Sequence, residues 1–269
     1  MTYYNEWNQY CAEWLRNLFP DADVDDRDIR DVGVGDVASY DRVHLFAGVG
    51  GWEYALHLAG WPDTEQVWSG SCPCQSFSRA GKKRGMNDER HLWPEMFRLI
   101  DGVRPKRVFG EQVAGQLGLE WFNRVRTNLE GIGYEVGMVA LPACCVGSPQ
   151  WRERIFWVAN TYSVELHDAI GQATAETAGR GDNAKHSEWR GASEPQRAGA
   201  VAPWASYQSV FCTDEKLRRI EPGVCPLAPR LPGDVERLRT YGNVVIPQVA
   251  AVFIRSYMQV KGIIPQPQL

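Results

Sequence analysis

The residue with the most chemistry to offer in this chain is a cysteine just past a strand. Val67-Trp68-Ser69-Gly70 runs from an apolar, β-branched start into small residues, so a short strand should end there and a loop begin. The loop reads Ser71-Cys72-Pro73-Cys74-Gln75-Ser76-Phe77-Ser78. A thiolate at the carboxyl end of a strand, with a polar loop behind it, is placed for nucleophilic attack in a cleft. The segment equally suits a small buried cysteine beside a turn, since free cysteine is among the most buried residue types. Upstream, Val43-His44-Leu45-Phe46-Ala47-Gly48-Val49-Gly50-Gly51 reads as a strand entering a glycine-rich turn, followed by a helical pattern from Trp52 to Gly60. Such a turn lets a ligand approach the backbone closely and faces it with a helix N-terminus. Taken alone, Gly-x-Gly-Gly describes many tight turns.

Other segments resolve this ambiguity. Pro73-Cys74-Gln75-Ser76-Phe77-Ser78 resembles the nucleophile motif of the DNA (cytosine-5)-methyltransferases, and Phe46 to Gly51 resembles their cofactor loop. Val108-Phe109-Gly110-Glu111-Gln112-Val113 is similar to the family's strand-end Glu-Asn-Val motif, with Gln112 where Asn is usual. Gln150-Trp151-Arg152-Glu153-Arg154 resembles Gln-x-Arg-x-Arg, and Tyr241-Gly242-Asn243-Val244-Val245-Ile246-Pro247 resembles the closing Gly-Asn motif and its helix.

The resemblance implies transfer of a methyl group from S-adenosylmethionine to C5 of a cytosine flipped out of double-stranded DNA. Cytosine C5 is a poor nucleophile until a thiolate adds at C6 and makes the ring enamine-like. Cys74 would be that thiolate. Glu111 would protonate or hydrogen-bond N3, which requires a raised carboxyl pKa in a partly dry pocket. Arg154 would bond the base's O2, while Arg152 would support it or grip the cysteine loop. By the same resemblance Phe46, Gly48, Val49, Gly50 and Gly51 would line the methionine end of the cofactor. Glu6 would bond its ribose hydroxyls, Trp7 would stack near the adenine, and Asp28 and Ile29 would meet the adenine edge. Pro73, Leu92 and Asn243 would close that pocket.

Glu6 and Asp28 come early because the motif order is unusual. Only one helix and a short linker fit between the glycine loop and the cysteine loop, where the family places two further strands. Those pieces resemble Tyr3-Tyr4-Asn5-Glu6-Trp7 and Asp26-Arg27-Asp28-Ile29 at the N-terminus. The chain therefore reads as a permuted member, its second and third motifs ahead of its first. Permutation poses a question of topology. The helix after Gly51 must lead directly to the cysteine strand, and a right-handed crossover would put it on the other sheet face. Either the linker Trp61-Pro62-Asp63-Thr64-Glu65-Gln66 carries the chain back around, or the permuted order is wrong.

The elements around these motifs alternate short apolar strands with helical patterns over residues 1–160. This predicts an α/β fold: a Rossmann-like, mostly parallel sheet with helices on both faces. Helices are expected at Asp88–Val103, Trp121–Leu129 and Tyr241–Met258. Residues 1–160 and 233–269 should form the catalytic domain, and 161–232 a small, partly loop-like target-recognition region. Gly171 to Ala200 is rich in Gly, Ala, Arg, Glu and Ser without periodicity.

The chain has 269 residues, 44% of them hydrophobic and 23% charged, ordinary values for a soluble globular protein. No apolar run approaches membrane-spanning length and the start lacks a secretory pattern. The 7 cysteines, odd in number and irregular in spacing, suit a reducing compartment, the cytoplasm by default. A monomer is the default expectation. A net charge of −4 would seem to disfavour a DNA partner, but its distribution matters more. Acids cluster from Asp21 to Asp36, whereas Arg79, Lys82, Lys83, Arg84 and Arg90 follow the cysteine.

Rival readings differ in class. An RNA (tRNA) cytosine-5 methyltransferase would carry the same motifs, and a noncatalytic DNA-binding relative would not need Cys74, Glu111 and Arg154 together. A zinc site on Cys72, Cys74, Cys144 and Cys145 lacks the usual Cys-x2–4-Cys spacing, so no metal is expected. A nicotinamide dehydrogenase would need Gly-x-Gly-x-x-Gly, and Gly48-Val49-Gly50-Gly51 is followed by Trp52.

Overall fold

The computed structural model describes residues 1–73, 92–148, 150–161, 208–211, 217–220 and 244–264. The chain divides into two compact units, Met1–Thr161 with Leu227–Leu269, and Tyr162–Pro226.

The first unit is built on a sheet of 7 strands in the order β2-β1-β3-β4-β5-β7-β6. The strands are β1 (Thr2–Asn5), β2 (Asp23–Asp25), β3 (Arg42–Leu45), β4 (Val67–Gly70), β5 (Arg107–Val113), β6 (Tyr134–Pro142) and β7 (Glu153–Thr161). The first five run parallel, while β7 is antiparallel to both β5 and β6. The helices are α1 (Gln9–Leu18), α2 (Val34–Val37), α3 (Gly51–Ala59), α4 (Trp93–Val103), α5 (Gln116–Gly131) and α6 (Pro247–Val260). Three of them depart from the sequence-based limits: α5 starts at Gln116 rather than Trp121 and runs to Gly131, and the other two shift for local reasons. In α4, Pro94 suits the first turn, so the helix starts at Trp93 with Leu92 as its N-cap; residues 88–91 lie outside the described residues. In α6, Pro247 plays the same part. In the second unit the described residues form one antiparallel pair, β8 (Gln208–Phe211) and β9 (Leu217–Ile220).

Side chains alternate across the strands, and each face has its own core. Tyr3, Val43, Leu45, Trp68, Val108 and Trp157 share one core with α2, α4 and α5. Val67, Phe109, Phe156 and Val158 face the other way and pack with α3 and α6. Tyr4 packs with Leu15 of α1 on that second side, against the glycine loop.

This distribution answers the topological question. Both β3-to-β4 and β4-to-β5 step one strand in the same direction, yet α3 and α4 lie on opposite faces. The two crossovers therefore have opposite hands. The α1 connection steps the other way on the face of α3, so it shares the hand of α4, and α3 is the exception to a nearly universal rule. Two groups of contacts hold it there. Beneath α3, buried His44 places Nδ1 2.7 Å from Ser69 Oγ and Nε2 2.9 Å from Glu53 Oε2. The linker after α3 leads directly into β4 and is held by its own contacts. Trp61 Nε1 donates to the Glu65 carbonyl at 3.0 Å, and Lys106 N–H donates to Gln66 Oε1 at 3.1 Å.

The acids of the N-terminal stretch are largely paired rather than left as a bare negative face. Arg27 bonds Asp25 at 2.6 Å and Asp36 at 2.9 Å, Arg16 bonds Asp26 at 2.9 Å, and Arg30 bonds Asp28 at 3.2 Å. The basic run at Arg79, Lys82, Lys83, Arg84 and Arg90 lies outside the described residues.

Candidate active site

Every described motif lies at the carboxyl ends of the parallel strands or at the start of β7, which runs back toward that edge. This is where open α/β sheets bind ligands. Asn5 at the end of β1 donates through Nδ2 to the carbonyls of Asp25 and Arg27 at 3.3 and 2.9 Å, tying the ends of β1 and β2 together. Glu6 follows. Its Oε1 accepts the Asn8 N–H at 2.9 Å and its Oε2 accepts the Gly48 N–H at 2.7 Å. The carboxylate thus bridges the entry to α1 and the glycine loop. Burial pushes its pKa up, and these two N–H groups oppose that shift.

The loop itself is wound tightly. Gly48 and Gly50 have φ of 58° and 83°, and Phe46, a non-glycine residue, has φ of 53°. Left-handed backbone at a phenylalanine costs free energy and persists only where the surroundings enforce it. Those surroundings are specific. A Cβ on Gly50 would lie 2.6 Å from the Phe19 ring, and one on Gly51 2.8 Å from Val245 Cγ1. The closing segment Val244-Val245 therefore sits directly against the start of α3. Trp7, 72% exposed, stands free beside Glu6.

Asp28 caps the short 3-10 turn Ile29–Asp31 by accepting the Arg30 N–H at 3.0 Å. Ile29 is buried in the core, and its carbonyl accepts from Arg98 at 3.3 Å. Phe46, Leu92 and Cys72 pack on one core cluster, so the loops after β3 and β4 and the start of α4 meet there. Gln112 reaches the same place: its Nε2 lies 3.4 Å from the Cys72 carbonyl, while its Oε1 accepts the Val113 N–H at 2.9 Å. The longer side chain thus bridges from β5 to the cysteine loop. Pro73 is the last described residue before Cys74; Cys74 and Asn243 lie outside the described residues.

On the opposite face, Glu111 and Arg154 are diagonal neighbours on the β5–β7 pair, whose register sets Val113 opposite Arg154. Arg154 Nε is 2.8 Å from Glu111 Oε1. Glu111 is 7% exposed. Burial pushes its carboxyl above the usual range, against the pull of Arg154, Arg152 and a hydrogen bond from Ser71. The group combines a buried proton site with a cation that favours its charged form, an arrangement suited to general acid–base work near neutrality. Arg152, expected to support Arg154 or grip the cysteine loop, also reaches the closing segment; the cysteine loop from Cys74 onward lies outside the described residues. Arg152 Nη2 donates to the Val244 carbonyl at 3.0 Å, which ties β7 to the segment under the glycine loop.

Of the four cysteines of the zinc alternative, Cys74 lies outside the described residues. Cys72 is buried, Cys144 and Cys145 are exposed, and the described residues hold no group of three or more metal-ligating side chains. Among them, too, no helix is long and apolar enough to cross a membrane. Two contributors went unread in the sequence. Ser71, in the loop after β4, is hydrogen-bonded to Glu111, and Trp52, at the start of the helical pattern, donates to Ser71; nothing in either segment marks these contacts.

The model of the C-5 cytosine-specific DNA methylase family matches residues 1–189. The chain is similar to the Type II methyltransferase M.NgoMIV of Neisseria gonorrhoeae, 36% identical over 100 residues, which are 36% of this chain and 32% of that protein. M.AplI of Arthrospira platensis is 32% identical over 129 residues, 47% of this chain and 36% of its own length. M1.ScrFI of Lactococcus lactis is 40% identical over 101 residues, 36% of this chain and 26% of its own. The matches thus span about a third of these relatives' length. Among solved structures, a DNMT2 mutant of Spodoptera frugiperda has a TM-score of 0.43 at 18% identity, covering 61% of this chain and 43% of that one. A prophage-encoded methyltransferase of E. coli, titled a putative DNA modification enzyme, has a TM-score of 0.41 at 18% identity, covering 61% and 41%.

Proposed function

Because this chain belongs to the C-5 cytosine-specific DNA methylase family, we propose that it methylates C5 of a cytosine flipped from double-stranded DNA, through a covalent bond between Cys74 and C6. The observation that carries this reading is the buried Glu111–Arg154 pair at the end of β5, set beside the strand that leads into Cys74. The unit Tyr162–Pro226 is the proposed reader of DNA sequence.

The cofactor fits the residues at the ends of β1 and β3. Each Glu6 oxygen accepts one backbone N–H and keeps a lone pair for a ribose hydroxyl. Exposed Trp7 offers an aromatic face to the adenine, and the glycines let a chain of atoms approach the backbone. S-adenosylmethionine, when bound, supplies an electrophilic methyl group on a sulfonium sulfur. The permuted motif order, with Glu6 ahead of the glycine loop it bonds, belongs to this proposal.

On the substrate side, the Cys74 thiolate adds to C6 as Glu111 delivers a proton to N3, so the electron pair of the C5–C6 double bond becomes available at C5. Arg154 holds the base through O2 and favours the charged form of Glu111 once its proton has been given. C5 would take the methyl group, water would remove the C5 proton, the thiolate would leave C6 as the double bond reforms, and the N3 proton would return to Glu111. Arg152 holds the closing segment Val244-Val245 in place.

Cofactor affinity should depend on pH through Glu6. Its pKa is raised, so affinity is full above that pKa and falls as the pH drops through it, where the carboxylate loses its acceptor role. Glu6→Gln should bind S-adenosylmethionine about 10-fold to 100-fold more weakly, the value of a charged hydrogen bond, and lose this pH dependence. Calorimetric titration of both proteins across the acidic range checks this; parallel profiles would remove Glu6 from the site.

The function itself is tested with methyl-labelled S-adenosylmethionine and either mixed-sequence duplex DNA or transfer RNA, each digested to nucleosides for mass spectrometry. Labelled 5-methyldeoxycytidine is the expected product. Label in RNA alone would move the chain to an RNA methyltransferase, and label in neither, with cofactor bound, would favour a noncatalytic binder.

A further inference from the structure

Ser71 stands between two groups that the reaction must coordinate. It follows β4 on the face that also carries Glu111, and Trp52 of α3 lies against it. Trp52 Nε1 donates to Ser71 Oγ at 3.0 Å. The β4–β5 register, which sets Gly70 opposite Gly110, carries Ser71 alongside Glu111, to whose carboxylate it is hydrogen-bonded. The chemistry of these groups fixes the direction of the chain. An indole N–H only donates, a carboxylate only accepts, and a hydroxyl has one proton to give. With Trp52 on a lone pair, the single Ser71 proton is committed to Glu111. Trp52 also follows Gly51 directly, so the same indole is anchored in the glycine loop.

We propose that Ser71 is a positioning residue for methyl transfer, holding the Glu111 carboxyl in the orientation from which it meets the base, with its own hydroxyl aimed by Trp52. This rests on the function proposed above. A hydroxyl that donates to a carboxylate favours the charged form, so Ser71 acts with Arg154 against the effect of burial. Two donors, Arg154 and Ser71, thereby share one buried acid, while Arg152 acts on it through its charge. The arrangement ties the proton state of Glu111 to the backbone that lines the cofactor.

A purely structural Ser71 would do no more than satisfy the buried Trp52 indole, and its loss would then lower stability without touching Glu111. The test separates the two. Wild type, Ser71→Ala, Ser71→Gly, Ser71→Thr and Trp52→Phe are titrated by infrared spectroscopy, with the Glu111 carboxyl band identified by its absence from Glu111→Gln. Ser71→Gly serves if the alanine variant does not fold. The hydroxyl-free variants should move the Glu111 midpoint to higher pH, and Ser71→Thr should restore it. Trp52→Phe frees the hydroxyl to turn and should give a smaller shift in the same direction. The high-pH limb of the methyl-transfer profile should move with the midpoint, and kcat should fall about fivefold to tenfold, the worth of one hydrogen bond, with KM unchanged. An unmoved midpoint in the hydroxyl-free variants would overturn the proposal. A moved midpoint in a protein that methylates no nucleic acid would support the link to Glu111 and overturn the function on which the proposal rests.

Discussion

Glu111→Gln is expected to slow methyl transfer by about 10²–10⁴-fold, the range over which a positioned general acid contributes, while S-adenosylmethionine binds as before. The sheet holds the two sites apart. Glu6 and the glycine loop belong to the ends of β1 and β3, and Glu111 to the end of β5, one strand beyond β4. Glutamine keeps the shape and can still donate a hydrogen bond, but it has no proton to give to N3. Burial raises the Glu111 pKa, so the acid form persists to higher pH than for an ordinary glutamate. The wild-type rate should therefore fall as the pH rises through that pKa, and the variant's residual rate should lack this limb. Single-turnover methylation at several pH values, with cofactor affinity measured alongside, makes the comparison. A variant with wild-type rate would leave the Glu111–Arg154 pair as a structural ion pair.

Gly110→Ala, one residue earlier, should destabilise the fold by about 3 kcal/mol, at the upper end of the usual cost of overpacking. Gly110 lies directly opposite Trp157 in the β5–β7 register. A Cβ there would sit 2.1 Å from Trp157 Cε2 and Cζ2. The indole has little room to yield: it is fully buried, and Trp93 meets it edge-on at 6.0 Å. The strain would be relieved by parting β5 from β7, which would pull Glu111 from Arg154. Denaturant titration should show the loss of stability, and adding Trp157→Leu should recover part of it. A shift below about 1 kcal/mol would mean that the two strands yield more readily than their packing implies.

Much of this site was legible in the sequence because tight turns and strand ends leave marks in residue type. The glycine loop was read as strand, turn and helix, and its glycines adopt the positive φ that the turn needs. Glu6, read as displaced in sequence from the loop, bonds the Gly48 N–H directly. Arg154 and Glu111, far apart in sequence, meet because β7 runs antiparallel beside β5, a pairing that no local pattern encodes. Side-chain aims were the least legible. Arg152 is read as supporting Arg154 or gripping the cysteine loop, and its spacing in Gln-x-Arg-x-Arg does not show the bond it makes to the Val244 carbonyl. The side of the sheet taken by α3 was equally hidden. Its apolar stripe would suit either face, and contacts with α6, nearly 200 residues away, add to those of His44 and the linker.

The central claim is a covalent bond from Cys74 to a cytosine that Glu111 activates. Its most direct measurement uses mixed-sequence duplex DNA with 5-fluorocytosine in place of cytosine, incubated with S-adenosylmethionine and analysed by intact mass under denaturing conditions. Fluorine at C5 removes the proton whose loss frees the enzyme, so the adduct should persist. Wild type should gain the mass of the DNA and one methyl group, and Cys74→Ala should gain nothing. An adduct that survives in Cys74→Ala would assign the nucleophile elsewhere, and wild-type turnover on ordinary DNA without any adduct on the fluorinated duplex would contradict the covalent route.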